Sequence, residues 1–343
     1  MRDFGQQASR VGRRTVLLAV SGLAFGAAGC STSRPRAAAA GARGTEAPGR
    51  RPSAGAGTPT ALPGTPTALP RAVAWHPGPG EVDPQVKLRA VRLVEALGSW
   101  RTGDGGTAAA RRRVSALGLD PGLADSAKPL LAAADEAVLR VVDAQYGGIL
   151  ADAGSVLVVC RQWTRGAGTV TAGGTTVDVR LSRARPRWTV TALHPAAPGP
   201  ALSSLPAPAR RVLDDPRVGL PPAARADVRS GHIHPTVLGA LLELSGTYRV
   251  NVSVIRSGHP LYVFGTSRRS DHPRGRAFDV WQINGRSVVD PATPRRLVES
   301  FMRDAAAAGS YNVGGPVPLS GGPPGQFFSD PTHHDHVHVG FVT

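Results

Sequence analysis

The chain has 343 residues, of which 41% are apolar, with 40 Lys and Arg against 24 Asp and Glu. That is ordinary globular composition and enough chain for about two domains of roughly 150 residues each. The net charge of +16 is not a nucleic-acid footprint: it is Arg-rich and dispersed, heaviest in the first 80 residues, and has few aromatics between the charges. A nucleic-acid surface would gather such charge on one element. No nucleic-acid partner is expected, only a mild attraction to an anionic wall or membrane surface.

Residues 1–30 read as an export signal. Arg13-Arg14 precedes an apolar run from Val16 to Ala28, which ends in small residues before Cys30. The run is shorter than the ~20 residues a membrane-spanning helix needs, so it reads as a secretory leader. The arginine pair resembles a twin-arginine signal, and Ala27-Ala28-Gly29-Cys30 resembles a bacterial lipobox with Ala27 where Leu is usual. That resemblance implies a lipidated Cys30 and a chain tethered by its N-terminus to the outer face of the cytoplasmic membrane or at the cell wall. Plain secretion with an incidental Cys30 is the alternative. Residues 31–80 are rich in Ala, Gly, Pro, Ser, Thr and Arg, with a repeat at 57–63 and 64–70. Such a segment buries too little apolar surface to offset its ordering entropy, and reads as a disordered tether.

Residues 81–197 form the first expected domain. Asp83-Pro84 starts a helix, and Val86, Ala90, Leu93, Val94 and Leu97 follow at helical spacing. A second helix is expected over residues 107–117 and a third over 126–142. Strands follow at Ser155–Trp163 and Arg187–Leu193, and the pair Thr169–Thr171 and Thr175–Leu181 flanks a hairpin turn at Gly173-Gly174. Cys160 falls within an apolar run and reads as a buried thiol. Helices followed by an antiparallel meander make an α+β domain. The order of elements and the closing segment Arg187–Leu193 resemble the nuclear transport factor 2-like fold. That fold implies an accessory or substrate-positioning role and no particular chemistry.

Residues 201–343 form the second expected domain, again α+β. Helices are expected at 207–215, 235–246 and 294–308, and strands at Val250–Ile255, Ala277–Ile283 and His336–Val342. Most of the ten histidines lie beyond residue 230, four of them between His333 and His338. Imidazole is the commonest zinc ligand. In His336-Val337-His338-Val339 a strand would turn both imidazoles to one face. Upstream, His272 and Asp279 stand seven residues apart around Gly275. Two imidazoles and one carboxylate leave a fourth tetrahedral position open, the layout of a catalytic zinc site.

Ser270, His272, Gly275, Ala277 and Asp279, with Asp335, His336 and His338, resemble the two motifs of the D-alanyl-D-alanine metallopeptidases. This family includes VanX- and VanY-type carboxypeptidases and L-alanyl-D-glutamate endopeptidases, with the hedgehog domain as a distant relative. The resemblance covers about residues 250–343. It implies Zn2+ on His272, Asp279 and His338, Asp335 as general base, and Arg256 as stabiliser of the oxyanion. His336 and His333 would orient ligands or the leaving group. The implied substrate is a peptidoglycan stem peptide. The alternative is a zinc-containing module that binds wall or partner without hydrolysis.

Overall fold

The computed structural model describes residues 68–184 and 187–343. Pro84 opens helix α1 (Pro84–Gly98), at a position where its missing N–H costs no hydrogen bond. The expected stripe of α1 is buried, and α2 (Gly106–Ala116) follows. The third expected helix is replaced. Two short 3-10 turns occupy residues 121–130, and strand β1 spans Glu136–Ile149. Val138, Val141 and Val142 supplied the helical spacing, but β-branched side chains suit a pleated strand. Ala137 and Leu139 alternate inward at the start of β1.

Strands β2 (Ala153–Gly166), β3 (Thr169–Ala184) and β4 (Arg187–Pro195) complete an antiparallel sheet in the order β1-β2-β3-β4. The hairpin turn is not at Gly173-Gly174. It lies at Ala167 and Gly168, both at positive φ (49° and 76°), with Gly166 opposite Thr169. Gly174 sits inside β3 because the neighbouring strand comes close: a Cβ there would lie 2.2 Å from the Cys160 carbonyl oxygen. α1 covers the sheet over a core that includes Tyr146, Val156, Val158, Val177 and Val179. Cys160 belongs to that core, and burial pushes its thiol up to about 12.

The second half runs α3 (Ala207–Asp214), β5 (Val218–Gly219), α4 (Pro222–Arg229), α5 (Pro235–Thr247) and β6 (Val250–Val254). It continues with β7 (Ala277–Ile283), β8 (Arg286–Ser287), α6 (Arg295–Ala307), β9 (Asn312–Gly314), β10 (Phe327–Phe328) and β11 (Val337–Gly340). The sheet order is β10-β9-β11-β7-β6-β5, with β8 paired to β7. The inner pairs are antiparallel and the two edge pairs parallel. Val212, Val228, Leu241 and Phe301 from the helices meet Val252, Phe278, Val280 and Val339 from the sheet in a second core.

Helices and strands occur in equal measure, an α+β chain. The two cores lie within one compact unit. The expected tether reaches residue 80, yet its last ten residues lie against the fold. Trp75 packs on the first core, its backbone N–H donates to Glu95 Oε1, and the Arg71 carbonyl accepts from the Arg140 guanidinium. Burying an indole provides the apolar contact that the rest of that segment lacks. The expected export signal, Cys30 and the tether up to residue 67 lie outside the described residues. Among the described residues no helix is long and apolar enough to cross a membrane.

Candidate metal centre

The first motif owes its shape to two local features. The 3-10 turn His272–Arg274 ends at Gly275, which adopts the left-handed conformation (φ 68°). A Cβ at Gly275 would also stand 2.0 Å from the His232 carbonyl oxygen, so only glycine fits. The turn feeds β7, and Asp279 then sits mid-strand, directly across from His338 on β11. Residues paired across a sheet project to the same face. The turn brings His272 back over that face.

The three side chains converge. His272 Nε2 lies 3.1 Å from His338 Nδ1 and 3.1 Å from Asp279 Oδ1, and His338 Nδ1 lies 3.0 Å from Asp279 Oδ1. Donors on a tetrahedral zinc at ~2.0–2.1 Å would be about 3.3 Å apart, so this triangle has the size of one face of such a site. The protonation pattern also fits. His272 Nδ1 lies 2.8 Å from the Ile255 carbonyl oxygen. A carbonyl only accepts, so Nδ1 carries the proton and Nε2 keeps its lone pair. Burial pushes His338 down to about 4, keeping the imidazole neutral. Burial alone would raise Asp279, but the neighbouring His272 and His336 hold it well below the usual carboxylate range. A neutral His338 and an ionised Asp279 are the forms in which these groups bind a metal.

His259 stacks on His272, with ring centroids 4.0 Å apart and planes 18° from parallel. Its Nδ1 lies 3.0 Å from the Pro260 carbonyl oxygen, and burial pushes it well below the usual histidine range. His259, His272 and Asp279 offer ligand atoms within 4.8 Å of one another, so His259 stands beside the triangle as a further candidate donor. Ser270 Oγ accepts from the His272 backbone N–H, which ties down the start of the turn.

The triangle opens on a cavity of about 730 Å3 lined by His259, His272, His333, His336 and His338. Phe264, Arg268, Tyr311 and Phe328 form part of its wall, and Tyr146, Gly147, Ile149 and Leu150 come from the helix-and-meander half. His333 is anchored by Asp330 Oδ1 at 2.8 Å and packs edge-on against Phe328. His336 Nδ1 lies 2.6 Å from Asp335 Oδ1, while its Nε2 is 3.8 Å from Asp279 Oδ2. Burial alone would lower His336, but the Asp279 and Asp335 carboxylates raise it to about 8.

Two residues to which the resemblance assigns roles do not line the cavity. Asp335 is 4% exposed, and both carboxylate oxygens are engaged: Oδ1 by His336, Oδ2 by Lys87 Nζ at 2.6 Å and the Tyr146 backbone N–H at 3.0 Å. Burial would raise its pKa, but the Lys87 ammonium and His336 outweigh it and hold Asp335 below the usual range. In this arrangement Asp335 Oδ1 holds His336 Nδ1 and no carboxylate oxygen of Asp335 is left free. Arg256 does not line the cavity either. Its Nη1 donates to the Pro198 carbonyl oxygen at 3.2 Å and lies 3.7 Å from Asp227 Oδ1 on α4. The buried Asp227 draws it away, also accepting from the backbone N–H groups of Arg256 and Ser257. The arginine facing the cavity is Arg268.

Sequence reasoning missed the contribution of the first half. Gln145 Nε2 donates to Asp279 Oδ2 at 2.6 Å, and Ser253 Oγ donates to Gln145 Oε1. Lys87 is wholly buried between Glu81 and Asp335. One signal for Lys87 was available: it falls beside Val86 on the apolar stripe of α1, where a charge requires a buried partner. Gln145, just beyond the helix expected over 126–142, gave none. Comparison with protein-family models, with curated proteins and with solved structures returns no match for this chain.

Proposed function

We propose that the chain is an exported, membrane-tethered zinc peptidase that hydrolyses peptidoglycan stem peptides. The observation that carries this reading is the buried triangle of His272 Nε2, Asp279 Oδ1 and His338 Nδ1, all within 3.1 Å of one another and open on one side to the cavity. A zinc ion held there would polarise a scissile carbonyl and bring the pKa of a water it carries to ~7.

The chain's own groups divide the remaining work. His336 is placed for proton transfer: Asp335 fixes its Nδ1–H, and, against burial, the Asp279 and Asp335 carboxylates raise it to about 8, so at neutral pH it holds a proton to donate. His333, 5.2 Å from His336 between ring centroids, is placed to serve the leaving amine. Arg268 offers a permanent cation to the developing oxyanion or to a substrate carboxylate. The cavity volume of about 730 Å3 suits a few residues of peptide and not a folded protein. The export signal expected from the sequence brings the chain to the wall, and the motif resemblance supports stem peptides as substrate.

The test is metal analysis of the purified chain, with digestion of muropeptides followed by mass spectrometry. One zinc per chain and cleavage of a stem-peptide bond is the expected result. A second reading, a zinc-containing module that binds without hydrolysis, draws on the sealed carboxylate of Asp335. One bound zinc with no cleavage of any wall peptide would favour it.

A further inference from the structure

We infer that the helix-and-meander half is part of the metal centre, with Gln145 as the positioning residue that fixes the ligand Asp279 from across the seam. This rests on the proposed zinc site and assigns a role to the half of the chain that lacks ligand motifs. Asp279 turns Oδ1 to His272 and His338, which leaves Oδ2 to be held. Gln145 Nε2 holds it at 2.6 Å, and a carboxylate only accepts, so the amide orientation is set. The far end of the amide is fixed too, since Ser253 Oγ donates to Gln145 Oε1. Gln145, Ser253 and Asp279 are all fully buried.

The strand that carries Gln145 is shaped for this contact. Along β1, Tyr146 buries its ring in the first core and anchors its hydroxyl on the Val82 and Asp83 carbonyl oxygens, while Gln145 faces the seam. The register slips between Tyr146 and Gly148. Gly147 and Gly148 then let the second half approach: a Cβ at Gly148 would stand 2.1 Å from Phe264 Cβ, and one at Gly147 would stand 3.1 Å from Pro260 Cδ. Lys87 and the Tyr146 N–H hold Asp335 from the same side. A seam built only for adhesion would bury apolar side chains, since buried charges and amides cost more than they return unless fully bonded. Here the fully buried Gln145 and Lys87 side chains that cross the seam bond to the proposed ligand carboxylate Asp279 and to Asp335, which holds His336.

The experiment measures zinc affinity of the full chain by competition with a chromogenic chelator, together with the visible spectrum of the cobalt-loaded protein. Gln145→Leu keeps the volume and removes the donor; it is expected to weaken zinc binding about 10–100-fold and to alter the cobalt spectrum. Ser253→Ala frees the far end of the amide and is the milder variant, expected to weaken binding a few-fold, should Gln145→Leu fail to fold. Arg180→Gln removes a guanidinium that pairs with the buried Asp178 on its own strand and lies over the Phe264 ring across the same seam, 5.5 Å from its centroid, yet touches no proposed ligand. It is expected to leave zinc affinity unchanged. Equal zinc affinity in wild type, Gln145→Leu and Ser253→Ala would overturn this inference and leave the proposed function standing. Equal weakening by Arg180→Gln would overturn it as well, by making the effect one of seam stability. Absence of zinc binding in the wild type would sink the proposed function and this inference together.

Discussion

The two halves of the chain differ in how they carry their chemistry. In the second half the proposed metal ligands sit in two short motifs, His272 to Asp279 and Asp335 to His338. In the first half the contributing residues, Lys87 and Gln145, are single side chains on separate elements, α1 and β1. The first kind of residue would hold the metal itself and must be a particular donor. The second kind holds the donor in place. The lesson is that a half without ligand motifs can still be structurally required by the site.

The largest effect should come from the motif side. His272→Ala removes a vertex of the triangle, and the purified protein is expected to lose its zinc and all measurable cleavage; metal analysis and a muropeptide digest check both. Next, His336→Ala is expected to keep zinc while lowering kcat by about 10²–10⁴-fold. Retained turnover in that variant, with loss in Asp335→Ala, would return the base role to Asp335. On the other side of the comparison, Lys87→Met leaves Asp335 buried without its cation. Breaking a buried ion pair costs about 3–5 kcal/mol, read by denaturant unfolding of the zinc-free protein. Adding Asp335→Asn to Lys87→Met is expected to recover part of that loss.

A smaller effect concerns the same seam. Asp143 on β1 has an Oδ2 that is sealed from water without a hydrogen bond, and burial raises this carboxyl to about 7. Its unfolded value is about 3.9, so the folded chain holds the extra proton between these limits. Stability from this group is therefore full at pH 4 and is lost as pH rises to about 7. Three pH units correspond to at most about 4 kcal/mol, and the partly exposed side chain reduces that. Asp143→Asn should flatten this decline, giving a higher Tm than wild type at pH 8 and little difference at pH 4. The smallest effect is expected for Arg256→Gln, which loses contacts to Pro198 and Asp227 but leaves kcat within about two-fold. A 100-fold loss there would restore the oxyanion role to Arg256.

Local signals explain what the sequence made legible. The helical stripe of α1 and the alternation that ends in β11 act over a few residues, and both elements form where expected. The triangle was legible because Gly275 forces a turn of fixed reach between His272 and Asp279. Competing long-range pairing explains the misses. The expected helix over 126–142 carries helical spacing, yet Val138 and Val141 pair with β2. Gly173-Gly174 has turn composition, but the chain reverses at Ala167-Gly168 and uses Gly174 for a close strand contact. Arg256 lies at the spacing of an oxyanion residue, but a buried aspartate on α4, an element with no clear sequence signal, claims it.

The Lys87 to Asp335 ion pair joins residues 248 apart in sequence, and Gln145 reaches Asp279 across 134. Contacts of such separation close late, because the entropy of closing a long loop must be met before they return anything. During synthesis the first half is complete long before His338 exists, and its polar groups wait without partners. The proposed centre would therefore report on the whole fold: an incomplete or misfolded chain would lack the geometry that brings His272, Asp279 and His338 together.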